Sequence, residues 1–393
     1  MRTLDEIGVS RYRKSAITGV VADIGSESAD AVVVVLRGDM DALPIQEEAE
    51  VDYRSEIDGV MHACGHDAHT AMLLGAAMLL RPLEERLRAE GKAVRLAFQP
   101  AEEGGAGGWA MVRDGVLEGA RAAFALHTSS QHASGLIAAK PGVAMGAGTS
   151  FSIHIRGKGG HASAPHTSID PVNAALQVGL SLNTIVGRMI DNPNDPVVIG
   201  VSTVHAGGAS NVIPSEATVT GTIRTWSNET RERMMDIVRD RATAMAEANG
   251  CEVEVNFGMG NGATGTEYRN SRGEAWTSRL YPAVLNNPEL VELGARTATE
   301  LFKAGDGSVP LDEIFQEERT TSFGGEDFSF FGESAGGVPA VMFRIGHAGE
   351  DPATHANHHH PAFFMDEAML HKGAAFLAQV ALDFLDGSPD SRA

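Results

Sequence analysis

The chain has 393 residues, of which 43% are hydrophobic and 21% charged, which is typical of a globular protein long enough for two domains. Its net charge of −21 argues against nucleic acid or an anionic membrane surface as a partner. Because residues 71–80 are the longest uncharged apolar stretch and residues 1–30 lack the apolar core of a signal peptide, we expect a cytoplasmic protein without a membrane span.

The first part of the chain predicts buried strands that alternate with helices. Apolar runs at residues 31–36, 93–98 and 122–126 predict strands, and helical periodicity predicts a helix over residues 67–87, capped by Asp67. Ligands in open α/β sheets gather at the carboxyl ends of the strands. Polar side chains stand at the predicted ends of these three strands: Asp39, Asp41, Glu102, Glu103 and His127.

The middle of the chain has a different pattern, which predicts the ferredoxin-like order βαββαβ. The predicted elements are a strand at 149–156, a helix at 170–190, strands at 197–204 and 217–225, a helix at 228–249 and a strand at 252–257. Residues 258–273 are rich in Gly, Asn, Thr and Ser and predict a linker. After the linker, a helix is predicted from 288 to 305, a strand at 337–345 and a closing helix from Asp366.

These elements predict an α/β fold in two domains. A catalytic domain with a mixed sheet, residues 1–148 and 263–393, is interrupted by an inserted ferredoxin-like lid or dimerisation domain, residues 149–262.

Two short segments carry several potential metal ligands beside glycines. Residues 64–69 read Cys-Gly-His-Asp-Ala-His, and residues 100–104 read Pro-Ala-Glu-Glu-Gly. Thiolate, imidazole and carboxylate together suit a borderline divalent cation such as zinc, manganese, cobalt or nickel. Neighbouring glutamates on an extended backbone point in opposite directions, so one can bind metal while the other moves protons. The pattern therefore favours a metal-dependent hydrolase.

Each segment also has a plainer interpretation. His66 and His69 could begin a hydrated helix, and the two glutamates could form a solvated turn. Cys64 favours the metal site, because thiolates bind metals and a nearby cation or helix N-terminus lowers the pKa of a cysteine. Its place in a cluster of potential ligands also argues against a disulfide with Cys251, the second cysteine of the chain. Asp67 and His69 would then orient the ligands instead of binding the metal.

Three further features contain candidate residues of the site. A histidine-rich loop before Pro361 is expected to supply at least one ligand, and its histidines are His355, His358, His359 and His360. Residues 157–162 match a dinucleotide-binding fingerprint only weakly, since no helix is predicted before residue 170. A loop that carries His161 towards a substrate is the interpretation we favour. Arg224, in the middle of a predicted strand, could form a surface ion pair or hold a substrate carboxylate.

The motifs together resemble the aminoacylase/carboxypeptidase family of dinuclear metallohydrolases (peptidase family M20). They follow the family's order along nearly the whole chain, at residues 37–44, 62–69, 99–104, 157–162, 211–214, 324–328 and 359–361. The Cys-Gly-His form of the second motif is similar to the amidohydrolase branch, which includes hippurate hydrolases, N-acyl-amino-acid amidohydrolases and plant indole-acetyl-amino-acid hydrolases.

The resemblance implies two divalent metal ions per subunit, manganese or zinc before cobalt or nickel, in a homodimer or homotetramer. By motif position, it implies the metal ligands Cys64, His66, Glu103, His127 and His359. It further implies that Glu102 is the general base, with Asp41 behind the site. The implied groups that hold the substrate and the developing oxyanion are His161, Asn211 and Arg224, with His161 reaching across from the partner subunit in related dimers.

The implied reaction hydrolyses the amide bond of a small N-acyl amino acid to a carboxylate and a free amino acid, with no nucleic acid or membrane partner. A dipeptidase or aminopeptidase on the same fold is one alternative, and it would need a partner for the substrate's free amino group. A non-catalytic protein that binds metal or acyl amino acids is another. Glu102 counts against that alternative, because binding alone needs no proton shuttle.

Overall fold

The structure is a computed structural model that describes residues 1–258, 267–269, 275–277, 280–303, 310–348 and 356–387, with 267–269, 275–277 and 311 described by backbone alone. The predicted domain boundary at 262/263 and His355 lie outside the described residues, as does most of the predicted linker. In the described part of the chain, no helix has both the length and the apolar character needed to cross a membrane.

The strands of the described residues are numbered in chain order. They are β1 (Tyr12–Ser15), β2 (Gly19–Gly25), β3 (Val32–Asp39), β4 (Lys92–Gln99), β5 (Ala120–Ala133), β6 (Ile137–Ala139), β7 (Gly142–Met145), β8 (Ala147–Arg156), β9 (Gly160–His161), β10 (Val197–Ala206), β11 (Val212–Ile213), β12 (Glu216–Thr225), β13 (Glu252–Gly258), β14 (Glu267–Arg269), β15 (Ala275–Thr277), β16 (Val284–Asn286), β17 (Phe315–Glu317) and β18 (Ala340–Ala348).

The helices are numbered in the same way. They are α1 (Arg2–Ile7), α2 (His66–Leu80), α3 (Glu84–Ala89), α4 (Gly107–Arg113), α5 (Pro171–Asn183), α6 (Ile185–Met189), α7 (Asn228–Ala248), α8 (Pro288–Phe302) and α9 (Leu370–Gly387). Short 3₁₀ turns lie at Arg81–Leu83, Pro165–Thr167, Leu311–Glu313, Asp327–Phe331, Glu333–Ala335 and Glu367–Met369.

An eight-stranded sheet in the order β1-β2-β4-β3-β5-β18-β6-β17 forms the larger part of the molecule. Its centre, β4-β3-β5-β18, is parallel. The pairs β1-β2, β2-β4 and β18-β6 are antiparallel, and β6-β17 is parallel. Val34 and Leu36 pack into one hydrophobic cluster with α2 and α9, while Val35 packs into a second cluster with α4. The predicted α/β class with a mixed sheet is confirmed, and α1, β1 and β2 are elements that the sequence patterns did not predict.

A second, four-stranded antiparallel sheet has the order β10-β12-β8-β13. Helices α5 and α7 cover one of its faces, and Phe151, Val178 and Val238 lie in their shared hydrophobic cluster. The main elements of this unit follow one another along the chain as β8, α5, β10, β12, α7 and β13, that is, strand, helix, strand, strand, helix and strand. Strand β10 stands at the edge of this sheet, where one side of its backbone has no neighbouring strand among the described residues.

Several predicted elements need correction. The helix predicted over 67–87 ends at Leu80, because Pro82 cannot continue its hydrogen bonds, and α3 follows separately. Its N-cap is Gly65 instead of Asp67. The helix predicted over 170–190 is divided after Asn183 into α5 and α6. His127 lies inside β5, not at its carboxyl end, because pairing with β18 extends that strand to Ala133.

Candidate metal centre

A tight turn before α2 positions Cys64 and His66. Gly65 has a φ of 80°, and a Cβ there would lie 2.5 Å from Oγ1 of Thr128, so this turn requires glycine. The turn leaves Sγ of Cys64 3.7 Å from Nε2 of His127, which β5 contributes. His66 begins α2 and is almost completely buried.

The turn after β4 places the side chains of Glu102 and Glu103 in different surroundings. Glu102 is buried, whereas Glu103 is partly exposed and its backbone N–H donates to Oδ2 of Asp41 at 2.9 Å. The hydroxyl of Tyr281 donates to the carbonyl of Glu102 and accepts from the backbone N–H of Gly104 at 3.1 Å. Tyr281, which no sequence motif indicated, therefore fixes the shape of this turn.

His359 reaches the same place from the histidine-rich loop. Its backbone has a φ of 66°, an uncommon value for a residue other than glycine, and its N–H donates to the carbonyl of Ala63 at 2.7 Å. Nε2 of His359 lies 3.0 Å from Oε1 of Glu103. Of the other histidines in this loop, His360 is exposed, and Nε2 of His358 lies 3.3 Å from Oγ1 of Thr128.

The fold thus brings together the residues that the sequence suggested as ligands. Three overlapping groups have potential ligand atoms that all lie within 4.8 Å of one another: Cys64, His66 and His127; Cys64, Glu103 and His359; and His66, Glu102 and Glu103. Nε2 of His66 is buried without a hydrogen bond among the described residues, whereas Nδ1 of His66 lies 3.3 Å from Oδ1 of Asp41. Since buried polar atoms normally have partners, this nitrogen and the sulfur, nitrogen and oxygen donors around it fit a divalent cation.

The nearby Asp39 and His69 form a separate buried pair. Nδ1 of His69 lies 2.5 Å from Oδ1 of Asp39, and Nε2 of His69 accepts from the backbone N–H of Thr128 at 2.9 Å. Because both of its ring nitrogens are used, His69 supports the ligand-bearing turn instead of binding metal. Asp67 is not part of this buried pair. Its carboxylate accepts from the backbone N–H of the next residue, Ala68.

The charges of the site alter its acid–base chemistry. Burial, together with the carboxylates of Glu326 and Asp327, raises the pKa of Glu102 well above its ordinary value. Burial lowers the pKa of His66, but Asp39 and Asp41 outweigh it and raise the pKa to about 9. Burial and then Glu103 raise the pKa of the Cys64 thiol.

A buried charge network lies behind Glu102. The guanidinium of Arg37 contacts Asp39 at 2.7 Å, Glu326 at 2.9 Å and Asp327 at 3.0 Å, and its Nε donates to Gln99 at 2.9 Å. Arg37, Glu326 and Asp327 lie in the motifs at 37–44 and 324–328, and the sequence patterns alone indicated no role for them. Their presence in two of the recognised motifs was the signal that could have found them.

A cavity of about 460 Å³ opens over this cluster, and we call it the metal-site cavity. Its lining includes Cys64, Glu102, His127 and Arg224. The cavity is of the size that binds small organic molecules.

Arg224 enters the metal-site cavity from β12 through space left by two glycines. A Cβ at Gly148 would lie 2.2 Å from Nη1 of Arg224, and one at Gly325 would lie 3.2 Å from it. Burial lowers the pKa of Arg224, and no carboxylate of the described residues forms an ion pair with it. The surface ion pair considered for Arg224 is therefore not present in the described part of the chain.

In the described part of the chain, neither His161 nor Asn211 lines the metal-site cavity. Both are exposed: His161 ends β9 and Asn211 directly precedes β11, and the backbone N–H of Ala162 donates to the carbonyl of Asn211. Nδ1 of His161 lies 2.8 Å from Oγ of Ser163. His358, one of the candidate histidines of the loop, does line the metal-site cavity, and so does Arg344, which no sequence motif indicated.

Comparisons with known proteins agree with this geometry. The sequence profile described as "Peptidase family M20/M25/M40" matches residues 35–383. The chain is 37% identical to IAA-amino acid hydrolase ILR1-like 5 of Arabidopsis thaliana, over 99% of this chain and 81% of the relative. It is 34% identical to the N-acetyl-L-cysteine deacetylase of Bacillus subtilis, over 100% of this chain and 83% of the relative.

A solved structure is also similar. The chain aligns with a Bacillus subtilis protein described as a dinuclear metal-binding peptidase of the M20 family, with a TM-score of 0.74 and 31% identity, over 98% of this chain and 91% of the other.

Proposed function

The chain belongs to peptidase family M20/M25/M40, and from this membership we propose that it is a metal-dependent amidohydrolase that releases a free amino acid and a carboxylate from N-acyl amino acids. The observation that carries the proposal is the convergence of Cys64, His66, Glu103, His127 and His359 beside Glu102. Relatives whose names describe hydrolysis of amino acid conjugates and of an N-acetyl amino acid support the same reaction.

The site fits two divalent metal ions, with those five residues as the proposed ligands. A mixed set of thiolate, imidazole and carboxylate favours manganese or zinc, and cobalt and nickel are further candidates. When bound, such ions polarise an amide carbonyl and make water a stronger nucleophile at neutral pH. Asp41 would orient His66, since their nearest polar atoms lie 3.3 Å apart.

Glu102 is the proposed general base and acid. It would take a proton from the attacking water and deliver it to the nitrogen of the leaving amino acid. Its burial beside Glu326 and Asp327 supports this role, because a raised pKa makes a carboxyl group a stronger base towards the attacking water. A protein that only bound acyl amino acids would have no use for this group.

Arg224 is the proposed anchor for the substrate's α-carboxylate, assisted by Asn211. An arginine that lines the metal-site cavity without an ion pair among the described residues supports this assignment. His161 is proposed to stabilise the developing oxyanion. Because His161 and Asn211 are exposed and do not line their own chain's cavity among the described residues, we propose that a second subunit supplies both.

The proposed assembly is a homodimer or homotetramer that uses the unit built on β8, β10, β12 and β13 as its dimerisation domain, here assigned residues 149–262. The exposed leucines of α5 and the unpaired edge of β10 support it. A cytoplasmic location is part of the proposal, because Cys64 binds metal only as a reduced thiolate, and reducing compartments preserve thiols.

A panel of N-acyl amino acids, assayed with each candidate metal, tests the proposed function. We expect release of the free amino acid from N-acetyl or N-benzoyl amino acids by the metal-loaded enzyme, and much less from dipeptides with a free amino group. Preferential cleavage of those dipeptides would instead indicate a peptidase. Binding of acyl amino acids without any turnover, by protein of verified metal content, would overturn the assignment as an enzyme.

A further inference from the structure

We propose that the metal-site cavity recognises two negative charges on its substrate, one with Arg224 and the second with Arg344. The preferred substrates would then be N-acyl amino acids that carry a second carboxylate in addition to the α-carboxylate. This inference rests on the proposed function and specifies the substrate class of the same site.

The first observation is the position of Arg344. It lies on β18 directly opposite His127 of the parallel neighbour β5, so the two side chains lie close together on the sheet. Arg344 lines the metal-site cavity with His127 and His358, and only 20% of its side chain is exposed. A permanent positive charge therefore stands beside a proposed metal ligand, in a chain whose net charge is −21.

The second observation is that the described contacts use only part of the Arg344 guanidinium. Its Nε lies 3.3 Å from the carboxylate of Glu318, and its two Nη nitrogens have no hydrogen bond among the described residues. A guanidinium has five donor hydrogens, and a carboxylate can take two of them in a fork. Glu318 also lies 3.6 Å from Nε2 of His132.

The third observation is that the two arginines enter through different walls of the cavity. Arg224 comes from β12 and packs against Gly325, whereas Arg344 comes from β18 beside His127. The contact of Arg344 with Glu318 uses its Nε and leaves its Nη nitrogens without a hydrogen bond among the described residues. Arg344 is thus available for a second anionic group, on the amino acid's side chain or on the acyl group.

Matched substrate pairs distinguish these two sources. The first pair is N-acetylaspartate and N-acetylasparagine, and the second is N-succinylalanine and its acyl-terminal amide. We expect the charged member of one pair to be favoured about 10- to 100-fold in kcat/KM, as for one charge-assisted hydrogen bond. Preference in the first pair places the second carboxylate on the amino acid, and preference in the second pair places it on the acyl group.

Variants then assign the preference to Arg344. Arg344→Gln should reduce the charged-to-neutral ratio to near one, and the double variant Arg344→Gln/Glu318→Gln should do the same without leaving Glu318 unpaired. Glu318→Gln alone should keep or raise the ratio, because it removes a competitor for the guanidinium. Arg319→Gln is the matched control, since Arg319 is exposed and does not line the cavity, and its ratio should equal that of the wild type.

Two results would overturn the inference: a wild-type ratio near one in both pairs, or a ratio unchanged by the double variant. Either result counts against the inference only when the wild type hydrolyses N-acetylalanine, which shows that the enzyme is active. Absence of turnover on every substrate would contradict the proposed function itself, so the two failures are distinguishable.

Discussion

Glu102 and Glu103 are neighbours in sequence, yet their carboxylates stand in different surroundings. Glu102 is buried beside Glu326 and Asp327, whereas Glu103 is partly exposed and contacts His359. Two chemically identical side chains can therefore have different roles, because the raised pKa of one suits proton transfer and the position of the other suits metal binding.

Substituting each glutamate in turn tests this division. Glu102→Gln should keep both metal ions and lose roughly 10²- to 10⁴-fold in kcat, the usual contribution of a general base. Glu103→Gln should instead lower metal occupancy. Metal analysis beside steady-state kinetics measures both effects, and exchanged phenotypes would show that the two roles are reversed.

Arg37 neutralises the carboxylates that lie behind the proposed base. Arg37→Met would leave Asp39, Glu326 and Asp327 buried without their cation, and breaking a buried pair in this way costs about 3–5 kcal/mol. We expect a clear fall in the urea midpoint of the metal-free protein. Arg86→Gln, which breaks only exposed ion pairs, is the control and should shift it little. Equal shifts in both variants would contradict the structural role of the network.

Arg224 provides the residue-level test of substrate orientation. Converting the α-carboxylate of a good substrate to an amide should cost the wild type roughly 10- to 150-fold in kcat/KM, equivalent to about 1.5–3 kcal/mol for a charged hydrogen bond. The same conversion should cost Arg224→Ala much less, because the anchor is already lost. If both proteins lose the same factor, Arg224 does not bind this carboxylate.

At the scale of elements, α5 and β10 present an apolar surface to solvent. Leu176 and Leu180 on α5 are 54% and 69% exposed, and Val204 on β10 is 43% exposed. Exposed apolar side chains beside an unpaired strand edge are typical of an interface between subunits. These elements belong to the same unit as His161, so the proposed assembly and the proposed role of His161 depend on one unit.

Charge placed on this surface should separate the subunits. Leu176→Glu/Leu180→Glu should give a monomer by light scattering and lower kcat, because a monomer cannot receive His161 from a partner. Leu79→Glu is the control, since Leu79 is also exposed but lies on α2.

Subunit mixing tests the contribution of His161 directly. Preparations of His161→Ala and Glu102→Gln should each have low kcat, and their mixture should recover part of the activity if one subunit completes the site of the other. No recovery, with subunit exchange verified, would place the action of His161 within its own chain or outside the site.

At the scale of the whole molecule, the metal site joins segments from both ends of the chain. Its proposed ligands extend from Cys64 to His359, so binding of metal should stabilise the larger part of the fold by mass action. We expect prolonged chelation to remove activity and lower Tm, and manganese or zinc to restore both. Cys64→Ser should reduce the metal content below two ions per subunit, whereas Cys251→Ser, at a buried cysteine of the second unit, should not. Full activity of verified metal-free protein would contradict the dependence.

The sequence alone determined the types of most elements and the residues that the fold brings together around the proposed metals. Apolar periodicity is a local property, and Cys64, Gly65 and His66 form a local turn, so both can be recognised without knowing the fold. The tertiary structure decided which distant segments meet. Arg37 and Glu326 are separated by 289 positions, and Arg344 reaches the metal-site cavity only because β18 pairs with β5 opposite His127. Sheet register and strand order create those contacts, and no local spacing encodes them.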